Sequence, residues 1–284
     1  MKRGFLIVNN FLNLSKFDEI YAMLLASAKE QGADLKLVKT GELTCVTGGL
    51  GDMDLPDFAL FWDKDVALCK RLERFIPVFN CSSAIYACDN KIETAIAFEN
   101  FGVPAPKTVI APKTFEGIGY CDGGFLERAV EILGLPVVIK EAYGSFGKQV
   151  YLARTLDELK SIVAALGYKD FLMQEFVADS CGRDIRINVV GGRVVCAMAR
   201  ENPSDFRSNI TNGGRAHTVE VTPEQAEIAV AACRAVGADF AGVDVFCGKP
   251  MICEINSNPH FKSTLDCTGV DISRDIIRHV LERV

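Results

Sequence analysis

The chain has 284 residues, 49% of them hydrophobic, which is enough to bury a substantial core divided between two or three subdomains. Its formal net charge of -6 and pI near 5.3 argue against nucleic acid or a general anionic surface as the main partner. The first apolar run, residues 5–8, ends too early for a signal-peptide core or a membrane span, so we expect a cytoplasmic protein without a membrane partner.

Residues 1–88 alternate short apolar runs with helical stretches, a pattern typical of a small parallel α/β layer. Strands are predicted over residues 5–8, 35–38, 59–62 and 77–79, and a helix over residues 17–29.

The second unit, residues 89–176, begins with a helix for which Asp89 is the predicted N-cap. The Pro-rich segment 103–108 is predicted to be a connector, because helix cannot continue through it. Next come a hairpin of strands over residues 136–140 and 149–153, a helix capped by Thr155 and a strand that starts at Phe171.

The third unit, residues 177–284, is predicted to be α+β. Gly191-Gly192 indicates a hairpin over residues 184–201, and an irregular loop follows. Thr222 and Pro223 are typical of a helix start, and a final helix is predicted from Asp271.

Residues 241–256 predict another hairpin, because Gly248 and Pro250 supply turn chemistry between β-branched, apolar runs. In that register Asp244 lies opposite Glu254.

Asn256 would share a face with Glu254, so three oxygen ligands would lie on one side of a sheet. Opposed carboxylates at ~5 Å repel by roughly 3 kcal/mol at an effective dielectric of about 20, and a cation would remove that repulsion. The ligands suit Mg²⁺ or Mn²⁺ held together with phosphates. The alternatives are that Asp244 faces away or is protonated.

A phosphate site is suggested by Lys140, which ends a buried strand and needs an anion there. The glycines of segment 144–148 would allow backbone amides to close over phosphate oxygens. Walker A and dinucleotide fingerprints are absent from the sequence. The alternatives are a snorkelling lysine and an ordinary hairpin turn.

Three weaker signals lie downstream. Segment 174–177 could form an adenine slot, with the Glu175 carboxylate at the purine edge, and Asp184 could accept from ribose hydroxyls; a strand with solvent-facing polar residues is the alternative. Arg207 offers a fork donor for phosphate or carboxylate, and its alternative is a solvated surface arginine.

Eleven cysteines without a Cys-x-x-Cys spacing predict small core side chains in a reducing compartment. A cysteine nucleophile would have only His217, His260 or His279 as a partner.

In chain order, these segments resemble the ATP-grasp superfamily, and most closely its RimK-type ligases, from about Asp89 to the C terminus. The motifs are Asp89-Asn90-Lys91, Gly102-Val-Pro-Ala-Pro-Lys-Thr, Leu135-Pro-Val-Val-Ile-Lys140, Gly144-Ser-Phe-Gly-Lys, Gln174-Glu-Phe, Gly182-Arg-Asp-Ile-Arg186, Asp205-Phe-Arg-Ser-Asn209, Ala241-Gly-Val-Asp244 and Glu254-Ile-Asn256-Ser. The resemblance implies an α/β and α+β protein in which an N-terminal parallel α/β domain precedes two α+β subdomains that grip ATP.

The resemblance also implies roles for particular residues. Phosphates would be contacted by Lys91, Lys140 and a closing loop that contains Gly144, Ser145, Gly147 and Lys148. Adenine would meet Gln174, Glu175, Phe176 and Val177, and ribose would meet Asp184. The γ-phosphate would face Arg207, Ser208 and Asn209, of which Arg207 and Asn209 would be catalytic. Two Mg²⁺ or Mn²⁺ ions would be held by Asp244, Glu254 and Asn256.

The activity expected from the resemblance is ATP-dependent joining of a carboxylate and an amine through an acyl phosphate, without a protein nucleophile. The amine would be an amino acid such as glutamate, the acid a peptide, a protein or a small molecule, and a homo-oligomer is compatible with this. The alternatives are a regulatory nucleotide-binding protein and a small-molecule kinase. Replacing Asp244 or Glu254 by its amide is expected to lower turnover while the fold stays intact.

Departures from the RimK pattern concentrate near the substrate. Thr211-Asn212 and the segment Asn258-Pro-His260-Phe-Lys262 differ from the residues that this branch usually carries. His260 or Lys262 could orient a substrate carboxylate or assist deprotonation of the amine, and the alternative is that both are surface loop residues.

Overall fold

The computed structural model describes residues 1–12, 14–43, 54–145, 147–208 and 213–284. Its N-terminal sheet has the order β2-β1-β3-β4, and all its strand pairs are parallel, which confirms the predicted α/β layer. The strands are β1 (Arg3–Val8), β2 (Asp34–Lys39), β3 (Phe58–Trp62) and β4 (Val78–Phe79), and the helices are α1 (Ser15–Glu30), α2 (Val66–Leu72) and α3 (Ser82–Asp89).

The central sheet is antiparallel, with the strand order β5-β8-β6-β7. Its elements are α4 (Lys91–Phe101), β5 (Thr108–Ile110), α5 (Gly124–Leu133), β6 (Val137–Glu141), β7 (Val150–Ala153), α6 (Leu156–Leu166) and β8 (Phe171–Glu175). Thr155 caps α6 as predicted, because its side chain accepts from the Glu158 N–H.

One prediction for this region is wrong in detail. Asp89 does not cap a helix but is the last residue of α3, and Asn90 caps α4 because it alone has extended backbone between the two helices. The connector at residues 103–108 runs directly into β5, which is an edge strand and therefore tolerates the prolines just before it.

The C-terminal sheet has the order β11-β10-β9-β12-β13. Its elements are β9 (Arg183–Val190), β10 (Arg193–Glu201), β11 (Arg215–Thr218), α7 (Pro223–Val236), β12 (Phe240–Phe246), β13 (Ile252–Asn256), α8 (Lys262–Thr268) and α9 (Ile272–Leu281). The predicted helix starts are confirmed, since the side chains of Thr222 and Asp271 accept N–H groups of the first turns of α7 and α9.

The β12–β13 hairpin has the predicted register. Asp244 pairs with Glu254, and Gly242 pairs with Asn256 two positions away. This is the pairing that the turn chemistry of Gly248 and Pro250 predicted, although the ladder has an irregularity between Asp244 and Val245.

One hydrophobic core joins the N-terminal sheet to the end of the chain. Leu6 and Leu24 from the N-terminal layer pack in the same cluster as Phe240, Phe261 and Ile276, all of them fully or almost fully buried. This core fixes the carboxyl ends of β1 and β3 against the C-terminal sheet.

The cysteines only partly fit the prediction of core side chains. Within the described residues they are free thiols; Cys69, Cys88 and Cys233 are buried, whereas Cys121 and Cys181 are exposed. Among the helices in the described ranges, none has the length and apolarity needed to cross a membrane.

Candidate active site

A cavity of about 370 Å³ lies between the central and C-terminal sheets. Apolar side chains such as Ile96, Val138 and Leu172 line it together with charged side chains such as Lys91 and Glu254. This volume and this mixed lining are typical of a site for a small molecule with apolar and charged parts.

Two lysines, Lys91 and Lys140, are among the charged lining residues. Lys91, at the first position of α4, donates from Nζ to the Gly144 carbonyl at 3.1 Å, and Lys140 donates to the Cys253 carbonyl at 3.3 Å. Burial lowers the pKa of Lys91; the charge of Glu254 opposes this shift and that of Lys140 adds to it. A bound anion would stabilise both ammonium groups.

Arg207 connects the loop after β10 to the loop after β6. Its Nη1 donates to the Gly147 carbonyl at 2.7 Å, and Asp205 holds the guanidinium at 2.7 Å. Arg207, Ser208 and Gly147 all line the cavity, whereas Lys148 is exposed and lines neither this cavity nor the one described below. Asn209 lies outside the described residues, as do Phe146, Thr211 and Asn212.

The predicted adenine segment contributes to this cavity, because Gln174, Glu175, Phe176 and Val177 all line it. One oxygen of the Glu175 carboxylate is engaged within the protein, because Oε1 accepts the Lys107 N–H at 2.8 Å. The contact of this segment with adenine stays a prediction.

A buried ion network lies beneath the cavity. Arg200 bonds both oxygens of Asp184, at 2.7 and 2.6 Å, and reaches Asp244 Oδ2 at 2.9 Å. Arg186, which pairs with Asp244 in the β9–β12 register, donates to the same oxygen at 2.8 Å, and Ser208 donates to Asp184. Two acids and two arginines thus balance one another's charge away from water.

This network corrects two expectations from the sequence. The repulsion between Asp244 and Glu254 does not require a metal ion for its relief, because Arg186 and Arg200 pair with Asp244. Burial opposes ionisation of Asp244, but the two guanidinium groups outweigh it and lower its pKa, so the protonated alternative does not hold. Both oxygens of Asp184 accept hydrogen bonds from Arg200, which leaves the carboxylate little remaining capacity to accept from ribose hydroxyls.

The donors available to a metal ion are mainly Glu254 and Asn256. Within the described ranges there is no group of three His, Cys, Asp or Glu side chains that could hold a metal. The Glu254 carboxylate accepts no hydrogen bond from the described part of the chain and lines the cavity. Glu254 and Asn256 are hard oxygen donors that fit Mg²⁺ or Mn²⁺ together with phosphate oxygens, and Asp244 would join them by releasing an arginine.

A second cavity, of about 520 Å³, lies between the N-terminal layer and the C-terminal sheet. Arg200 and Glu254 line both cavities, and Asn256, Ser145 and Arg186 line only the second. The two spaces therefore meet at Glu254, where a group held in one could react with a group held in the other.

His260 and Lys262 differ in position. His260 lines the second cavity, but its Nε2 lies 3.1 Å from the Lys16 carbonyl, and burial lowers its pKa. Lys262 lines neither cavity and pairs with Asp266 on the same helix.

Sequence reasoning gave no role to Arg186, Arg200, Asp63 or Asn258, which all line these cavities. Arg186 ends the quoted segment Gly182–Arg186, and its inward direction follows from the period of two that it shares with Asp184. No local signal marks Asp63 or Asn258, because their neighbourhood depends on contacts between distant units.

Comparison with known proteins agrees with the resemblance to RimK-type ATP-grasp ligases. The sequence model of the RimK-like ATP-grasp domain matches residues 105–280. A probable alpha-L-glutamate ligase of Picosynechococcus sp. is 36% identical over 207 residues, which are 71% of this chain and 66% of that one. The probable alpha-L-glutamate ligase 1 of Shewanella sp. (strain MR-4) is 31% identical over 297 residues, with 95% of each chain covered.

Among solved structures, a RimK domain protein with the ATP-grasp fold from Sphaerobacter thermophilus superposes with a TM-score of 0.71. The superposition covers 98% of this chain and 99% of that one at 16% identity. The predicted ATP-grasp fold is confirmed.

Proposed function

The chain belongs to the RimK-like ATP-grasp family, and we propose that it is an ADP-forming ligase that joins a carboxylate to an amine. The observation that carries the proposal is the meeting of two cavities at Glu254 and Arg200. The first cavity takes ATP, and the second takes the groups to be joined.

The reaction has two steps. A carboxylate oxygen attacks the γ-phosphorus of ATP, which releases ADP and leaves an acyl phosphate. An amine nitrogen then attacks the acyl carbon, loses a proton, and expels inorganic phosphate as the amide bond forms. Neither step needs a protein nucleophile, and burial raises the pKa of Cys253, a thiol at the first cavity, to about 12, which keeps it protonated.

The protein contributes position and charge. Lys91 and Lys140 bind the phosphates, and Arg207 bridges the γ-phosphate to the loop of Gly147, as its contact with that loop supports. Asn209 assists Arg207, as the resemblance implies.

Glu254 and Asn256, with Asp244 opposite Glu254 in the ladder, would hold the divalent ions. When bound, Mg²⁺ or Mn²⁺ neutralises phosphate charge. The adenine lies against segment 174–177, which lines the first cavity.

We further propose that the amine is an amino acid such as glutamate and that the acid is a peptide, a protein or a small molecule. The names of the two relatives support glutamate, and the mixed charges of the second cavity support a polar substrate.

The test is turnover by the purified chain with ATP, Mg²⁺, amino acids and a panel of carboxylates. Phosphate release that needs both an acid and an amine, with an amide adduct found by mass spectrometry, is the expected result. Phosphorylation of a hydroxyl acceptor without any amine would indicate a kinase. Tight ATP binding without turnover across the panel would indicate a regulatory protein.

A further inference from the structure

Asp63 is a buried carboxylate with one unused oxygen. It follows the last residue of β3, is 7% exposed, and lines the second cavity. Its Oδ1 accepts backbone N–H groups of Lys64 and Asp65, the latter at 3.1 Å, whereas its Oδ2 is buried without a hydrogen-bond partner among the described residues.

Asn258 places a second unused acceptor on the same wall. Its Nδ2 donates to the Asp63 carbonyl at 2.9 Å, which ties the loop after β13 to the end of β3. Its Oδ1 is also buried and finds no partner in the described ranges. Buried acceptors are rarely left without a donor, because their lost hydration is then uncompensated.

Two cations that line this cavity bond to other residues. The Lys64 ammonium pairs with Asp89 and donates to Ser145 Oγ at 3.2 Å, and the Arg186 guanidinium is held by Asp244. Neither of these cations bonds to Asp63 Oδ2, and Asp63 lines the second cavity. Burial, followed by the charge of Asp63, raises the pKa of Tyr21, which also lines this cavity, to about 12.

We propose that Asp63 Oδ2 and Asn258 Oδ1 form a subsite for the primary ammonium group of a ligase substrate. A ligand for this pair must bring hydrogen-bond donors and positive charge in a compact group, which is the chemistry of an ammonium ion. The inference rests on the proposed function for the identity of that ligand. The ammonium belongs either to the incoming amino acid or to the acid that is phosphorylated.

The position of the subsite fits this role. Parallel α/β layers bind ligands at the carboxyl ends of their strands, and Asn9 after β1 and Asp63 after β3 both line the cavity at that edge. Trp62 and Phe17 add apolar walls, which strengthen an ion pair by excluding water.

Ligand binding can be measured without turnover, because Trp62 is the chain's one tryptophan and lines this cavity. We would titrate wild type with each standard amino acid and its deaminated counterpart, for example L-glutamate and glutarate, and follow Trp62 emission. At least one amino acid should change the emission at concentrations where its counterpart does not. Asp63→Asn should raise the Kd for that amino acid about tenfold or more, and Asn258→Ala should raise it less.

Asp34→Asn is the matched control, because it makes the same chemical change at an exposed residue that begins β2, at the opposite edge of the sheet. It should bind like wild type. Thermal unfolding of each variant shows whether it is folded. Equal responses to amines and their counterparts, wild-type affinity in Asp63→Asn, or no response to any amino acid would overturn the subsite.

Steady-state kinetics distinguish the two sources of the ammonium and the two proposals. If the incoming amine carries the ammonium, Asp63→Asn should raise the KM for the amine. If the phosphorylated acid carries it, the variant should raise the KM for the acid. The KM for ATP should stay unchanged in both cases. Turnover with every KM within about twofold of wild type would overturn the subsite alone. Amine-dependent emission that Asp63→Asn abolishes, without turnover by wild type, would instead overturn the proposed reaction alone.

Discussion

Glu254 lines both cavities, as Arg200 does, and its carboxylate makes no hydrogen bond with the described part of the chain. Glu254→Gln should therefore lower kcat roughly a hundredfold or more, because the amide is a poorer metal ligand, while stability stays close to wild type. Phosphate release and urea unfolding measure the two effects. Glu220→Gln is the control, because it makes the same change at an exposed residue away from both cavities. A near-normal kcat in Glu254→Gln would exclude Glu254 as a principal metal ligand.

Asp244 differs from Glu254 although the two lie opposite each other. Asp244→Asn leaves Arg186 and Arg200 partly uncompensated in a buried site, so it should lower the free energy of unfolding by about 3 kcal/mol as well as lowering turnover. This revises the expectation that the fold would stay intact. Urea unfolding checks it, and a midpoint equal to that of Glu254→Gln would show that the network adds no stability.

His260 should make stability depend on pH. Burial lowers its pKa below the ordinary value of about 6.5, so the unfolded chain binds a proton at a higher pH than the folded chain does. The stabilisation present above pH ~6.5 is therefore lost as pH falls from there towards the folded-state pKa. His260→Gln should reduce the loss of unfolding free energy between about pH 7.5 and 5.5, whereas the exposed His217→Gln should not. If the unfolding free energies of wild type, His260→Gln and His217→Gln changed equally with pH, this prediction would be contradicted.

At the scale of elements, the start of α4 positions a phosphate ligand. Asn90 Oδ1 accepts the Ile92 N–H at 3.0 Å, its Nδ2 donates to Tyr143 Oη at 3.1 Å, and Lys91 follows directly. Asn90→Ala should cost about 1 kcal/mol of stability and raise the KM for ATP, because the first turn would no longer hold Lys91 in place.

Asn90→Asp is the matched control for this prediction. It keeps the acceptor of the cap but loses the donor to Tyr143, so it should retain most of the stability. Thermal unfolding and ATP kinetics measure both variants. If Asn90→Ala raised the KM without loss of stability, the side chain would act on ATP directly rather than through the helix.

Local sequence patterns predicted helices and strands well where the decisive contacts join residues that are close in sequence. Turn chemistry at Gly248 and Pro250 gave the register of Asp244 and Glu254, and the cap at Thr222 gave the start of α7. Such signals depend on residues a few positions apart, so they can be read along the sequence.

Contacts between distant strands could not be predicted in the same way. Arg200 reaches Asp184 and Asp244 because β9 lies between β10 and β12. The sequence of a single strand does not determine the order of strands in the sheet. The acceptors of Asp63 and Asn258 were missed for the same reason, since nearly two hundred residues separate them.

At the scale of the whole molecule, the second cavity exists because the N-terminal layer and the end of the chain share a core. α1 packs on α9, and a buried hydrogen bond of 2.6 Å joins Ser27 Oγ to Ser273 Oγ. Trp62 belongs to the same core and stacks on Phe240 of β12, at 5.5 Å between ring centroids. The cavity is therefore expected to lose its shape when this core loosens.

Ile276 of α9 is fully buried in that shared core. Ile276→Ala should lower the free energy of unfolding by about 2–5 kcal/mol, and Trp62 emission and far-UV circular dichroism should report the same midpoint, because the two units unfold together. Leu159→Ala removes comparable volume from the separate core of the central sheet, so it should shift Trp62 emission less than circular dichroism. If Ile276→Ala instead left the Trp62 midpoint unchanged, the N-terminal layer would fold without the C-terminal helix, and substrate affinity at the second cavity would have to be governed by something other than this core.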